Sequence, residues 1–238
     1  MQVIYYIILI PMVYAAFAVF IIGTAWQAIR ITQGLKYSLG IAVGPAKKPG
    51  VLGALYETAL FPRVLKTHPV HWVFVAVFHV AFLLLILGHL ELVGEIGALQ
   101  AIRHEVFLGG GVIGIILFVA LLFFLFRRFH APVREISEAG NYYILVVLLL
   151  AVLFGSQLHL ARSLFAYSTI EVDEYREYLA GILTFRPALP AVFTENCVGH
   201  SFLLVLHVFF ANLFLMLFPV SRMMHALLAF PLARLRRR

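Results

Sequence analysis

VFVAVFHVAFLLLILGHL, running from Val73 to Leu90, decides the fold of this chain. It carries no Asp, Glu, Lys or Arg and is long enough, as a helix, to cross about 30 Å of hydrocarbon. Yet it holds two histidines, His79 and His89. An ionisable side chain at membrane depth is costly and marks a relay, a pathway or a ligand. A second pair, His207 and His225, brackets another apolar run near the C-terminus.

Of the 238 residues, 63% are hydrophobic and 12% charged, and mean hydropathy is +1.00. A water-soluble globule of this length needs far more polar surface, so that class is excluded. Hydropathy predicts an all-α integral membrane protein with five spans, at about 3–28, 70–93, 106–126, 142–160 and 202–218. They must be helical, because lipid satisfies no open backbone group. No soluble domain, internal repeat or low-complexity tract interrupts them, so the chain reads as one membrane domain over 1–238. The first apolar run lacks a basic leader and is expected to be a retained helix. A single cysteine, Cys197, excludes an internal disulfide, a cysteine-ligated iron–sulfur cluster and covalent CxxCH haem attachment.

Net charge is +7, but its placement argues against nucleic acid. Arg30, Lys36, Lys47, Lys48, Arg63 and Lys66 lie between spans one and two. Arg127, Arg128 and Arg134 lie between three and four, and Arg222, Arg234, Arg236, Arg237 and Arg238 in the tail. Only Arg103, Arg162, Arg176 and Arg186 fall on the other side, where Glu91, Glu95, Glu105, Glu171, Asp173, Glu174, Glu177 and Glu195 gather. Basic loops stay in the cytoplasm, so the N-terminus is expected outside and the C-terminus inside, in the cell's inner (cytoplasmic) membrane. The first cytoplasmic loop, about forty residues long, contains a turn-forming breaker at 44–50. The outer loop at 161–199 is expected either to cap the mouth of a site or to be a linker.

The depth of the histidines then matters. His79 and His89 differ by about 15 Å in height and about 80° around a helix. Span five runs the opposite way, so depth pairs His89 with His207 and His79 with His225. The last two are about 27 Å apart along a straight helix, but Pro219 lies between them and removes a helical hydrogen bond, and a kink there would draw the heights together. Each histidine alone reads more readily as a helix–helix hydrogen-bond partner than as a ligand. Four at matched depths on two antiparallel helices point to two non-covalent bis-histidine haems, one toward each leaflet.

Gly88, beside His89, and Gly110, in Gly109-Gly110-Gly111, leave room for a flat ring or close helix contact. Arg103, His104, Glu105, His159 and His200 converge on the outer side. They are candidates for the donor and proton acceptor a quinone headgroup needs, or else ordinary interfacial residues. His68 and His71 read as interfacial, His130 as solvated, and 122–126 as lipid-facing bulk.

Phe78-His79-Val80-Ala81-Phe82, Gly88-His89, Leu206-His207-Val208 and Phe218-Pro219-Val220-Ser221-Arg222-Met223-Met224-His225 together resemble the cytochrome b (gamma) subunit of respiratory nitrate reductase. Phe107-Leu108-Gly109-Gly110 and the Arg127-Arg128, Pro132, Arg134 stretch resemble it too. The resemblance implies two haems b, held by His89 with His207 and by His79 with His225. It also implies quinone, menaquinone by expectation, as substrate and a cytoplasmic iron–sulfur subunit as partner. The first cytoplasmic loop is longer than in nitrate reductases. With Leu60-Phe61-Pro62-Arg63 and Thr67-His68-Pro69-Val70-His71-Trp72 it looks more like the membrane cytochrome of the Dsr-type complex of dissimilatory sulfur metabolism (the DsrM-type branch). The basic quinol-site residue that family carries before span three has no unambiguous counterpart here: Arg103 lies near, and Ala101 is the other candidate for the position.

The expected function is thus electron transfer between the quinone pool and an iron–sulfur partner, with no terminal-substrate centre in this chain. The alternatives are a nitrate reductase gamma subunit and, in a different class, a haem-free histidine-relay transporter or channel. The latter's alternating-access forms carry inverted repeats that are not found here.

Overall fold

The fold was described from a computed structural model covering residues 2–39, 50–94, 111–165, 172–190, 193 and 201–229. Helices dominate, and no strand occurs among the described residues: α1 (Gln2–Leu9), α2 (Pro11–Leu39), α3 (Val51–Leu60), α4 (Pro62–Thr67), α5 (Pro69–Val93), α6 (Gly111–Arg128), α7 (Ala139–Phe165), α8 (Val172–Leu183) and α9 (Ser201–Leu217). Five stretches are long and apolar enough to cross a membrane: Gln2–Gly34, Pro69–Val93, Gly111–Arg128, Ala139–Leu160 and Phe202–Val220. Side chains such as Val80, Ile22 and Val112 stay exposed on the flanks, as lipid-facing surfaces require.

The boundaries differ from expectation where local chemistry intervenes. Expected residues 106–110 of span three lie outside the described residues. Its far end runs on to Arg128, since Arg127 and Arg128 sit favourably against the negative pole of the helix. Span five stops as an α-helix at Leu217. Pro219 cannot donate into it, and the chain continues in two 3₁₀ turns, Phe218–Val220 and Arg222–Met224. The stretch from His207 to His225 is therefore not one straight helix.

Span one is broken by Pro11, which has no N–H to give. The Val13 N–H turns back to the Ile10 carbonyl at 3.1 Å, which leaves the Leu9 carbonyl without its usual helical donor. In hydrocarbon an orphaned carbonyl costs several kcal/mol, roughly, unless another group reaches it. The Tyr178 hydroxyl donates to Leu9, and Asn212 Nδ2–H donates to the Ile8 carbonyl at 3.2 Å. Tyr14 answers by donating to the Ile182 carbonyl at 2.9 Å. The connection at 161–199, open as cap or linker from sequence, thus contains a docked helix, α8. It is sealed into an apolar cluster with Leu9, Ile10, Val13, Phe193, Leu204 and Val205.

Two short helices fill the opposite end, inside what hydropathy leaves as a forty-residue loop. Residues 40–49, including most of the breaker, lie outside the described residues. Between α3 and α4, Phe61 is left-handed, with φ 44° and ψ 51°. That conformation costs a residue with a Cβ about 1–2 kcal/mol. Trp72 Nε1–H donates to the Leu60 carbonyl at 2.6 Å and pins this corner to α5.

The spans pack as a chain of neighbours: α5 on α6, α6 on α7, α7 on α9 and α9 on α2. Between α5, α6 and α7 lies a core of Phe78, Ala81, Leu117, Leu121, Leu148 and Val152. Phe123 and Phe124, expected to face lipid, instead turn inward. Phe123 stacks on Phe74 with ring centres 3.8 Å apart, and Phe124 meets Phe78 edge-on. Phe126 alone of that run's aromatics is largely exposed. The helices α5 and α9 are not among the closely packed pairs.

Candidate cofactor site

Imidazoles of α5 face partners in two places, one on α9 and one just past the 3₁₀ turns that follow it. The rings of His89 and His207 have centres 6.0 Å apart with planes at 29°. Those of His79 and His225 are also 6.0 Å apart, at 76°. These are the pairs that depth along two antiparallel helices predicts. An iron held between two imidazoles, at a metal–nitrogen bond of about 2 Å on each side, sets ring centres roughly 6 Å apart. Phe82 and Phe214 meet across the same space, between the two levels, at 6.4 Å.

Each ring's orientation has a cause. The Nδ1 atoms of His79 and His89 lie 2.7 Å from the Val75 and Leu85 carbonyls, one turn back on α5. His225 Nδ1 lies 2.8 Å from the Arg222 carbonyl, and His207 Nδ1 reaches across to the Ala151 carbonyl of α7, also at 2.8 Å. A carbonyl only accepts, so Nδ1 carries the proton in all four, and Nε2 is left with a free lone pair. That is the tautomer a metal-binding histidine needs, held by the hydrogen bond its ligands typically carry. His130 makes a similar bond to the Phe126 carbonyl at 2.9 Å. The bond alone is therefore no mark of a ligand; the facing partner is.

Among the described residues no cluster of three or more His, Cys, Asp or Glu side chains forms. Two nitrogens do not complete a metal's coordination, whereas a planar macrocycle supplies the remaining four. The pairs therefore fit a porphyrin iron better than a bare ion.

Sequence reasoning missed the residues that make room. A Cβ on Gly155 of α7 would come within 2.8 Å of His207 Nδ1 and 2.9 Å of its Cε1. The glycine is what lets the imidazole lie against α7 and reach Ala151. A single glycine in the Leu153-Phe154-Gly155-Ser156 stretch of an apolar span is the available signal. Likewise, a Cβ on Gly114 would collide with the Ser156 side chain, so α6 and α7 cross closely there. Gly88 is buried on α5, next to His89.

Of the expected quinone-site residues, Arg103, His104, Glu105 and His200, and also Gly110, lie outside the described residues. His159 is described. It is half-buried on α7, one turn from Gly155 and beside Gly111 at the start of α6, at the His89/His207 end. At the other end, His68 is exposed, while His71 packs on Phe123 and Phe124.

Residues 64–238 match the family model for the nitrate reductase gamma subunit. The chain belongs to the nitrate reductase gamma subunit family. That match takes in four of the five spans and all four facing histidines; α1, α2, α3 and Phe61 precede it. No curated protein matches the chain. The gamma subunit is a membrane cytochrome b that works in electron transfer as one part of a multi-subunit complex. It oxidises quinol, so haem and quinone accord with membership.

Proposed function

We propose that this chain is a di-haem b subunit that carries electrons across the bilayer between the quinone pool and a cytoplasmic iron–sulfur protein. The observation that carries the reading is the pair of facing imidazole couples, each 6.0 Å between ring centres, that join α5 to His207 on α9 and to His225 beyond the 3₁₀ turns, although α5 and α9 are not closely packed. His89 with His207 would hold the outer haem and His79 with His225 the inner one, all within a single domain. Haem supplies the one-electron couple that no side chain of this protein offers. The chain's own residues hold and orient. Four carbonyls fix the imidazole tautomers, Gly155 seats His207, and the aromatic layer of Phe82 and Phe214 keeps water from the space between levels.

The distribution of charge supports an outside N-terminus and a cytoplasmic C-terminus in the inner membrane. Quinol oxidised at the outer end releases two protons there and two electrons inward, and the basic inner face suits an acidic iron–sulfur partner. His159, with Arg103, His104, Glu105 and His200, is the group we assign to the quinone headgroup, one side chain donating to a quinone oxygen and another accepting a proton. The stretch from Leu60 to Trp72 favours a Dsr-type complex of sulfur metabolism, with menaquinol as donor, over a molybdenum nitrate reductase.

The purified protein should show the sharp reduced alpha band of bis-histidine haem, at two haems per chain. Replacing any one of the four histidines by alanine should remove half of it. A colourless protein sinks the assignment and leaves a histidine-relay channel. Co-purification with a molybdopterin subunit would move the protein to the nitrate branch.

A further inference from the structure

Phe61 is out of place by every local rule. Its backbone is left-handed, φ 44° and ψ 51°, a conformation that glycine adopts freely and a bulky aromatic does not. The corner is held from several sides. Val64 and Leu65 N–H both donate to the Phe61 carbonyl, at 2.9 and 3.2 Å, and Pro62 opens α4. The Trp72 indole fixes Leu60. Strain kept in place by its surroundings points to a use for the side chain. The Phe61 ring lies 5.3 Å from the ring of His79, centre to centre, tilted at 40°. His79 thus has His225 before it and Phe61 beside it. Phe61 itself precedes the family match, which begins at residue 64, while Val64, Leu65 and Trp72, which hold the corner, fall within it.

We infer that Phe61 is a positioning residue that shields the His79/His225 pair from water and thereby raises the reduction potential of the haem held there. This rests on the proposed ligation. The physical cause is charge. A ferric haem with two neutral imidazoles carries one positive charge more than the ferrous form, and water stabilises that charge. An apolar cover around the ligand withholds the water and favours reduction. Among the described residues the ring contact of His89 is with His207, with no phenyl ring set beside it as Phe61 is beside His79.

The test is a redox titration of the intact, purified chain, read at the alpha band. The His79/His225 component is assigned as the one absent from His79→Ala. Phe61→Gly suits the left-handed backbone, so the corner keeps its shape while the ring is removed. The midpoint of that component should fall by up to about 59 mV, a tenfold change in a one-electron equilibrium. The other midpoint should stay fixed. Phe61→Trp should restore the wild-type value, and Trp72→Phe, which frees the corner, should cause a smaller fall. An unmoved midpoint in Phe61→Gly overturns the inference. So does an equal fall of both components, a failure of Phe61→Trp to restore, or haem loss with the remaining midpoints unchanged. A wild-type protein without any alpha band is a different failure, that of the ligation itself, and shows before a variant is made.

Discussion

Gly155 lets α7 lie close enough to α9 for His207 Nδ1–H to reach the Ala151 carbonyl at 2.8 Å. Gly155→Ala would drive a methyl group into that ring and break the bond. Loss of such an orienting partner weakens metal retention by about 10–100-fold. Haem content should therefore fall toward one per chain, read as haem per protein. Gly34→Ala, where a Cβ meets nothing within 4 Å, should leave it unchanged. Equal haem in both variants would show that Gly155 merely packs. The imidazole pairs themselves were legible, because rise per residue and antiparallel direction convert sequence spacing into depth. Gly155 and Phe61 were not, because their importance lies in what touches them from other helices. Neither composition nor periodicity records such contacts.

At the scale of elements, α8 is the clearest case of structure hidden in polar sequence. Hydropathy leaves 161–199 outside the membrane and says no more. The docking depends on the Leu9 carbonyl, freed beside a proline more than 160 residues away, and on the returning bond from Tyr14 to Ile182, and no local pattern can announce it. Tyr178→Phe would strand the Leu9 carbonyl in an apolar cluster and destabilise the chain by about 1–3 kcal/mol, seen as a lower melting temperature. The phenol also sets a pH limit. Burial, with Tyr14 nearby adding to it, pushes the Tyr178 hydroxyl up from its ordinary 10.0. A raised folded pKa stabilises fully below the unfolded value, and that stability is lost as pH climbs above it. Docking of α8 should thus hold through pH 9 and loosen above about pH 10, measured as protease cleavage in 172–190, where the Phe variant shows no matching alkaline step. A melting temperature unaffected by the substitution would mean that water or another donor serves Leu9.

For the molecule as a whole, the five spans followed from hydropathy because each is a nearly unbroken apolar run; the internal break at Pro11 and the ends at Arg128 and Pro219 were set by other means. The asymmetry of Lys and Arg makes a further prediction. A fluorescent protein fused after Arg238 should fold and glow, while alkaline phosphatase fused there should be inactive; an active phosphatase reverses the orientation. Lastly, α5 meets α9 and the segment after it through side-chain rings and not through close helix packing. Without a hydrophobic drive between helices in lipid, such a seam has little to close it. Under the proposed ligation the pigment would be a tie-bar as much as a wire, and biogenesis would depend on its supply. In a strain starved of porphyrin synthesis, the newly inserted polypeptide should be degraded by membrane quality control, so that its steady-state level falls and recovers on feeding the precursor. Undiminished, protease-resistant protein in the starved cells would show that the bundle stands without its pigment.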